Sequence, residues 1–471
     1  MPAPPRDRRS AADPLRRLLC ARDADEPLQP WHTLPVQEPP AAALRGMDWD
    51  AYVAAEARLL AEVRARLAAA GPPSAPPALL GRDAAQTDAT AELGHAGNRS
   101  YRALPDGPVR GAAVLVHGLS DAPYSLRSLA ALYRAHGHAV VVPRLPGHGS
   151  VPAALGRVER AQWQAALALA IAEARRLAGD GRPLQLVGYS NGAALVLLHE
   201  LSRLARGEPP AAARLVLLSP MIAVGAFAAH AGLGGLAAQL PLRLRAAWVR
   251  IRPEYDPCKY TSLPVHAARE CYRLTRAVQA ALDAVQRRGR LHALPPLLAF
   301  QSALDATVDA DAIATRLLDR LPPRGHALVV FDVNRAHPLA PFLRPGLADW
   351  GLHLLDAAPT PYAISVVGAR SARDAAAVAR HRAAGETGSH STPLAQAYPA
   401  DLLSLSHVAL PFPPDDPLYG ATSARASGLP TAAPAARGET GLLRLPREEL
   451  DRIGHNPFHA YLCARIAEGL H

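Results

Sequence analysis

Between residues 110 and 335 the chain alternates short, unbroken apolar runs with longer periodic ones. AAVLVH (112–117), HAVVVP (138–143), LQLVG (184–188), RLVLLS (214–219), PLLAF (296–300) and ALVVF (327–331) lack the apolar–polar alternation of a half-exposed strand. Each is therefore expected as a strand buried on both faces. The intervening segments, such as QWQAALALAIAEARRLAG (162–179), have the length and period of helices. Strand, helix and strand in succession imply right-handed crossovers and a mostly parallel sheet with helices on both faces, an α/β fold. PYAISVVG (361–368) and DLLSLSHVAL (401–410) supply two further strand candidates.

Outside that rhythm the pattern predicts additions to a main domain spanning 107–420. Residues 1–45, rich in Pro, Arg and Asp, read as a flexible or surface-draped arm. From 46 to 106 a helical extension and linker follow, because Trp49, Tyr52, Val53, Leu59, Leu60, Val63 and Leu67 recur at helical spacing until Gly71 and a proline-rich break. Residues 221–293 are too long for a plain crossover and contain CYRLTRAVQAALDAVQRRGR, so they read as an inserted cap. An irregular insertion is expected over 340–400, with surface loop at 368–398. Residues 421–471 form a C-terminal extension packed on the main domain. No internal repeat is evident.

Composition narrows the classes. Apolar residues make up 49% and charged residues 20% of the 471, the balance of a globular chain with a large core. The formal net charge of +10 comes almost wholly from arginine, since Lys259 is the single lysine. Acidic residues are interleaved with the arginines, without the like-charge blocks of a nucleic-acid arm, so no nucleic-acid partner is expected. The four cysteines, at 20, 258, 271 and 463, have no CxxC spacing and indicate neither zinc nor a disulfide framework. No apolar run meets the requirement for a signal peptide or an integral membrane span. The expectation is a cytoplasmic protein. His136, His138 and His148 flank one strand, but no carboxylate or cysteine set accompanies them, and they read as loop-structuring residues.

Candidate chemistry sits in LQLVGYSNGAALVLL (184–198). The apolar strand ends at Gly188 and an apolar helix starts after Gly192, so the chain must reverse within Gly-Tyr-Ser-Asn-Gly. Side chains at the two flanking positions would collide with the strand and the helix, and glycine at both resolves the collision. The turn exposes the Ser190 hydroxyl above the sheet at a helix N-terminus. A GxSxG pentapeptide alone is a weak signal; its place between a buried strand and a helix makes Ser190 the expected nucleophile. Attack on a carbonyl creates an oxyanion. Its expected donors are the backbone N–H of Asn191, next after the nucleophile, and that of Leu119, in the loop after AAVLVH where Gly118 permits close approach. His117, at that strand end, reads as orienting the loop and not as a base.

AAVLVHGLSDAPYSL, VVVPRLPGHGS and LQLVGYSNGAALVLL, in this order, resemble the α/β-hydrolase superfamily, in particular its esterase and monoacylglycerol-lipase-like branch with a single-glycine oxyanion loop. The resemblance covers about residues 108–220 strongly. It implies an eight-stranded type of sheet, a cap after the sixth strand and a Ser–Asp–His triad in that chain order. The acid is then expected just past the strand that follows the cap, at Asp305, with Asp309 as the alternative. The base is expected at His407, in SLSHVALPFPPDDPLYG, which resembles the histidine loop of bacterial α/β hydrolases with an extended C-terminal half. His337, in FDVNRAHPLAP, is the alternative and lies where a minimal hydrolase would carry it.

The expected activity is hydrolysis of a small-molecule carboxylic ester with an apolar acyl part, with no metal or organic cofactor. Thioesters, amides and peptides fall within the same chemistry. MIAVGAFAAHAGLGGLAAQLPL (221–242) is a candidate acyl-pocket lining, and equally a core-packing segment. The charged stretch VRIRPEYDPCKYTSLPV (249–265) reads as a structural ion-pair network, with contact to a polar or anionic head group as the alternative. The rival class is a non-catalytic binding protein that keeps the fold. Oligomeric state is not legible in the sequence.

Overall fold

Buried apolar strands lie side by side in one ten-stranded sheet of order β1-β3-β2-β4-β5-β8-β9-β10-β11-β12 in the computed structural model, which describes residues 27–70, 97–223, 244–305, 307–343, 349–421, 452 and 454–470. The strands are β1 (Tyr101–Ala103), β2 (Gly111–Val116), β3 (His138–Val142), β4 (Leu184–Tyr189), β5 (Arg214–Leu218), β6 (Trp248–Arg250), β7 (Leu263–Pro264), β8 (Leu297–Ser302), β9 (Ala327–Phe331), β10 (Ala363–Ser371), β11 (Asp374–Arg382) and β12 (His390–Ala397). From β3 through β10 neighbouring strands of the sheet are parallel, and β1, β11 and β12 join antiparallel at the two edges. β6 and β7 form a separate hairpin.

Alternate residues of each central strand serve opposite layers. Ala112, Val114 and Val116 join one hydrophobic cluster and Ala113 and Leu115 the other; Leu215 and Leu217 divide from Val216 and Leu218 in the same way. A strand needs this two-sided burial because its side chains point alternately up and down, and it explains the unbroken apolar runs. The helices that cover the sheet are α1 (Pro30–Thr33), α2 (Ala41–Arg45), α3 (Trp49–Ala69), α4 (Arg127–Ala135), α5 (Arg160–Ala178), α6 (Asn191–Ala205), α7 (Val265–Arg287), α8 (Ala310–Thr315), α9 (Trp350–Asp356) and α10 (His459–Ala467), numbered among the described residues. None is long and apolar enough to cross a membrane.

Several expectations need correction. Residues 27–45 are packed and not a free arm: Trp31 and Leu44 are buried, and the Glu38 carboxylate bonds Arg144 and the Gly147 N–H. The part of the predicted cap from 265 onward is an ordinary crossover helix, α7, whose Leu274, Val278, Leu282 and Val285 enter the main core beside α6. The predicted surface loop at 368–398 contains most of the β10–β11–β12 meander. β11 is alanine-rich and half buried and β12 is polar and mostly exposed, so both lack the unbroken apolar run that marks a central strand. The sheet is consequently wider than the eight strands implied by resemblance. Residues 401–410 are turns instead of a strand, because serine side chains hold the backbone locally; Ser406 Oγ accepts from Ala409 N at 3.0 Å. Residues 1–26 of the arm, with Cys20, residues 224–243 of the cap and most of 421–451 lie outside the described residues.

Candidate active site

β4 ends at Tyr189 and α6 begins at Asn191, so Ser190 alone makes the reversal. Its φ of 54° and ψ of −113° lie in a region L-residues rarely occupy, at a cost of about 1–3 kcal/mol borne by the surrounding packing. The backbone is locked there by Ser190 N–H donating to Leu218 O at 2.8 Å and by Met221 N–H donating to Ser190 O at 3.2 Å. Both elbow glycines are required sterically. A Cβ at Gly188 would lie 2.4 Å from Ala193 Cα, and one at Gly192 2.2 Å from Val116 O. Backbone on both sides cannot yield, so Gly192→Ala is expected to lower unfolding stability by about 2–3 kcal/mol, the upper end of an overpacking penalty. An unchanged denaturation midpoint for this variant would contradict the steric account.

The loop after β2 lies directly against the elbow: a Cβ at Gly118 would be 3.3 Å from Ser190 Cβ. His117 orients this loop with both ring nitrogens, Nδ1–H donating to Gly118 O at 2.9 Å and Nε2 accepting from Leu145 N at 3.0 Å. Burial lowers its pKa to about 3, so the ring stays neutral and this bonding persists through the physiological range. Leu119 packs against the core beside it. Asn191 is fully buried, and its side-chain oxygen accepts from Cys271 Sγ at 3.2 Å, which ties the start of α6 to α7.

His407 and Asp305, 102 residues apart in sequence, meet at 2.7 Å between Nδ1 and Oδ2. A carboxylate can only accept, so the imidazole proton sits on Nδ1 and the lone pair on Nε2. Asp305 also accepts from Gln301 Nε2 at 3.1 Å, Thr307 N at 2.8 Å and Val308 N at 2.9 Å. Burial alone would raise the Asp305 pKa, but the His407 imidazole and the Val308 and Thr307 N–H groups outweigh it and hold the carboxyl below the usual range. Tyr189, the residue before Ser190, holds the histidine loop at the elbow. Its hydroxyl donates to His407 O at 3.1 Å, and its ring centre is 5.2 Å from the imidazole.

The alternative residues stand elsewhere. Asp309 is the N-cap of α8, accepting from Asp311 N at 3.2 Å. His337 uses Nδ1 within its own turn, accepting from Leu339 N at 3.0 Å. The charged stretch before α7 is a bonded network: Glu254 accepts from Thr261 N and Ser262 N, and Asp256 from Tyr419 OH at 2.7 Å. Two of its contacts reach the loop after β2, through Lys259 to Asp121 and through Tyr260 N–H to Ser120 O. Sequence reasoning had no role for Asp121 or Tyr189. The one available signal was that the only lysine of the chain, Lys259, lies in the charged stretch of the predicted cap.

A serine on a strand–helix elbow at the centre of a mostly parallel sheet, with an acid just after β8 and a histidine in a later loop, is the arrangement of the α/β-hydrolase fold, which this chain adopts. Residues 107–337 match the family described as Serine aminopeptidase, S33. Similar solved structures include LipS and LipT, two metagenome-derived lipolytic enzymes, at 18% identity and a TM-score of 0.41 over 50% of this chain and 88% of theirs. The Paleococcus ferrophilus monoacylglycerol lipase is 19% identical, with a TM-score of 0.37 over 50% of this chain and 88% of its own. A soluble variant of the Saccharomyces cerevisiae monoglyceride lipase is 13% identical, with a TM-score of 0.38 over 49% and 81%. No curated protein matches the chain.

Proposed function

We propose that the protein hydrolyses carboxylic esters with an apolar acyl part through an acyl-enzyme on Ser190. Ser190 Oγ attacks the ester carbonyl as His407 Nε2 takes its proton, and the Leu119 and Asn191 N–H groups hold the resulting oxyanion. His407 returns the proton to the departing alkoxide, which leaves as the alcohol. Water then attacks the acyl-serine with the same base, releasing the carboxylic acid and restoring Ser190. Asp305 keeps the imidazole in the Nδ1–H tautomer and stabilises the imidazolium without taking the proton. The observation that carries this reading is the 2.7 Å His407–Asp305 bond held beside the Ser190 elbow by Tyr189.

The apolar acyl preference rests on the sequence of 221–242. The test is a p-nitrophenyl ester series with a fluorophosphonate probe. A p-nitrophenolate burst equal to the enzyme concentration, and covalent labelling lost in Ser190→Ala, are the expected results. Labelling that persists in Ser190→Ala, or turnover without a serine adduct, would overturn the reading. The description of the matching family, a serine aminopeptidase, makes removal of an N-terminal residue from peptides the second reading. An aminoacyl p-nitroanilide in the same assay separates the two, since a peptidase prefers it to the esters.

A further inference from the structure

The chain's only lysine is placed where three parts of the candidate site converge. Lys259 lies between β6 and β7, in the portion of the cap that precedes α7. Its Nζ donates to Asp121 Oδ1 and, at 2.9 Å, to Ser125 Oγ, and Ser125 Oγ in turn donates to the same Asp121 oxygen at 2.6 Å. Asp121 is buried, and its other oxygen faces the Gly118 N–H at 3.4 Å. The lysine thus holds, through one carboxylate, the loop that runs from Gly118 to Asp121.

That loop needs holding. Ser120 has a φ of 56°, a left-handed conformation unfavourable for a residue with a Cβ, immediately after Leu119. Tyr260, next to the lysine, clamps the same residue from outside by donating its N–H to Ser120 O at 2.7 Å. The ammonium also lies 5.6 Å from the ring centre of Tyr189, beside the nucleophile, and 5.2 Å from that of Phe412 in the histidine loop, within cation–π range of both. The lysine is itself fixed in direction, because Asp256 Oδ1 accepts from the Lys259 and Cys258 N–H groups at 2.8 Å each.

We infer that Lys259 is a positioning residue for the oxyanion hole, acting through Asp121 to keep the Leu119 N–H aimed at the reacting carbonyl. The inference rests on the Ser190 reading above. The cap segment is then part of the catalytic frame and not only a cover over the substrate. A donor that drifts from its line costs most where charge develops, so the loss falls on the chemical step and not on ground-state binding.

The experiment compares wild type, Lys259→Met, Lys259→Arg, Asp121→Asn and the Lys259→Met/Asp121→Asn double variant in the full chain. It measures kcat and KM for one p-nitrophenyl ester, the second-order rate of Ser190 labelling by a fluorophosphonate, and thermal midpoint. Lys259→Met and Asp121→Asn are each expected to lower kcat and the labelling rate by about 10- to 100-fold, below the 10²–10³ of outright donor removal, with KM within about twofold. Lys259→Arg should recover most of the loss. The double variant should be little worse than either single one, as for two residues acting through one contact. Wild-type labelling rates in both Lys259→Met and Asp121→Asn, a change in KM alone, or a lowered thermal midpoint with kcat per labelled site unchanged would each overturn the inference. Should Lys259→Met fail to fold, the near-isosteric Asp121→Asn and the Lys259→Arg rescue carry the same test. Wild type that takes no label at all defeats the nucleophile assignment itself, an outcome distinct from failure of the lysine's role.

Discussion

His407→Ala should lower kcat for a p-nitrophenyl ester by about four to six orders of magnitude, while His337→Ala leaves it within about threefold of wild type. The asymmetry follows from bonding. His407 has its Nδ1 proton committed to Asp305 at 2.7 Å, which leaves Nε2 as the basic nitrogen and supplies a carboxylate to stabilise the imidazolium. His337 accepts at Nδ1 from Leu339 N in its own turn, and among the described residues no carboxylate bonds its ring to stabilise an imidazolium. Because nucleophile and base act as one unit, Ser190→Ala/His407→Ala should be no slower than either single variant. Circular dichroism on each protein shows that the fold survives. Activity retained in His407→Ala and lost in His337→Ala would reverse the assignment of the base.

The Ser190 elbow was legible in the sequence because each of its requirements is local: an apolar strand, two glycines and an apolar helix within 15 residues. The His407–Asp305 pair was legible only by resemblance, since no periodicity relates residues 102 positions apart; the contact arises when β8 and the histidine loop meet, as Ser302 Oγ bonding Leu405 O at 2.5 Å records. Central strands announced themselves by two-sided burial. β11 and β12 did not, because a half-exposed antiparallel edge tolerates Ala, Arg and His. α7 was read as cap because the chain before it is long, although its Leu274, Val278 and Leu282 spacing is that of any core-facing helix. Proline-rich composition similarly suggested an arm over 27–45, and what composition does not reveal is a single carboxylate with a buried partner more than 100 residues away.

That partner underlies the largest stability effect expected in the molecule. Arg144, in the VVVPRLPGHGS stretch after β3, is 1% exposed. It donates to both oxygens of Glu38, at 2.7 and 3.0 Å, and to His148 O at 2.8 Å, with its Nε 3.2 Å from Glu56 on α3. Glu56 also accepts from Ser100 N at 2.8 Å and Ser100 Oγ at 2.6 Å. Burial pushes the Glu56 pKa up while Arg144 pulls it down, and the cluster holds two buried carboxylates on one guanidinium. Replacing the pair members together by apolar groups could be neutral, but removing the cation alone leaves both carboxylates desolvated and unpaired. Arg144→Met should therefore cost about 3–5 kcal/mol of unfolding free energy, whereas Glu38→Gln, which keeps a hydrogen-bond acceptor at the same place, should cost about half as much or less. Urea unfolding gives both values, and limited proteolysis should show earlier cleavage near residues 27–45 in Arg144→Met, because Glu38 is one of the anchors of that segment. An Arg144→Met midpoint corresponding to less than about 1 kcal/mol would mean that the apolar contacts of Trp31 and Leu44, and not the ion cluster, hold the N-terminal segment on the sheet.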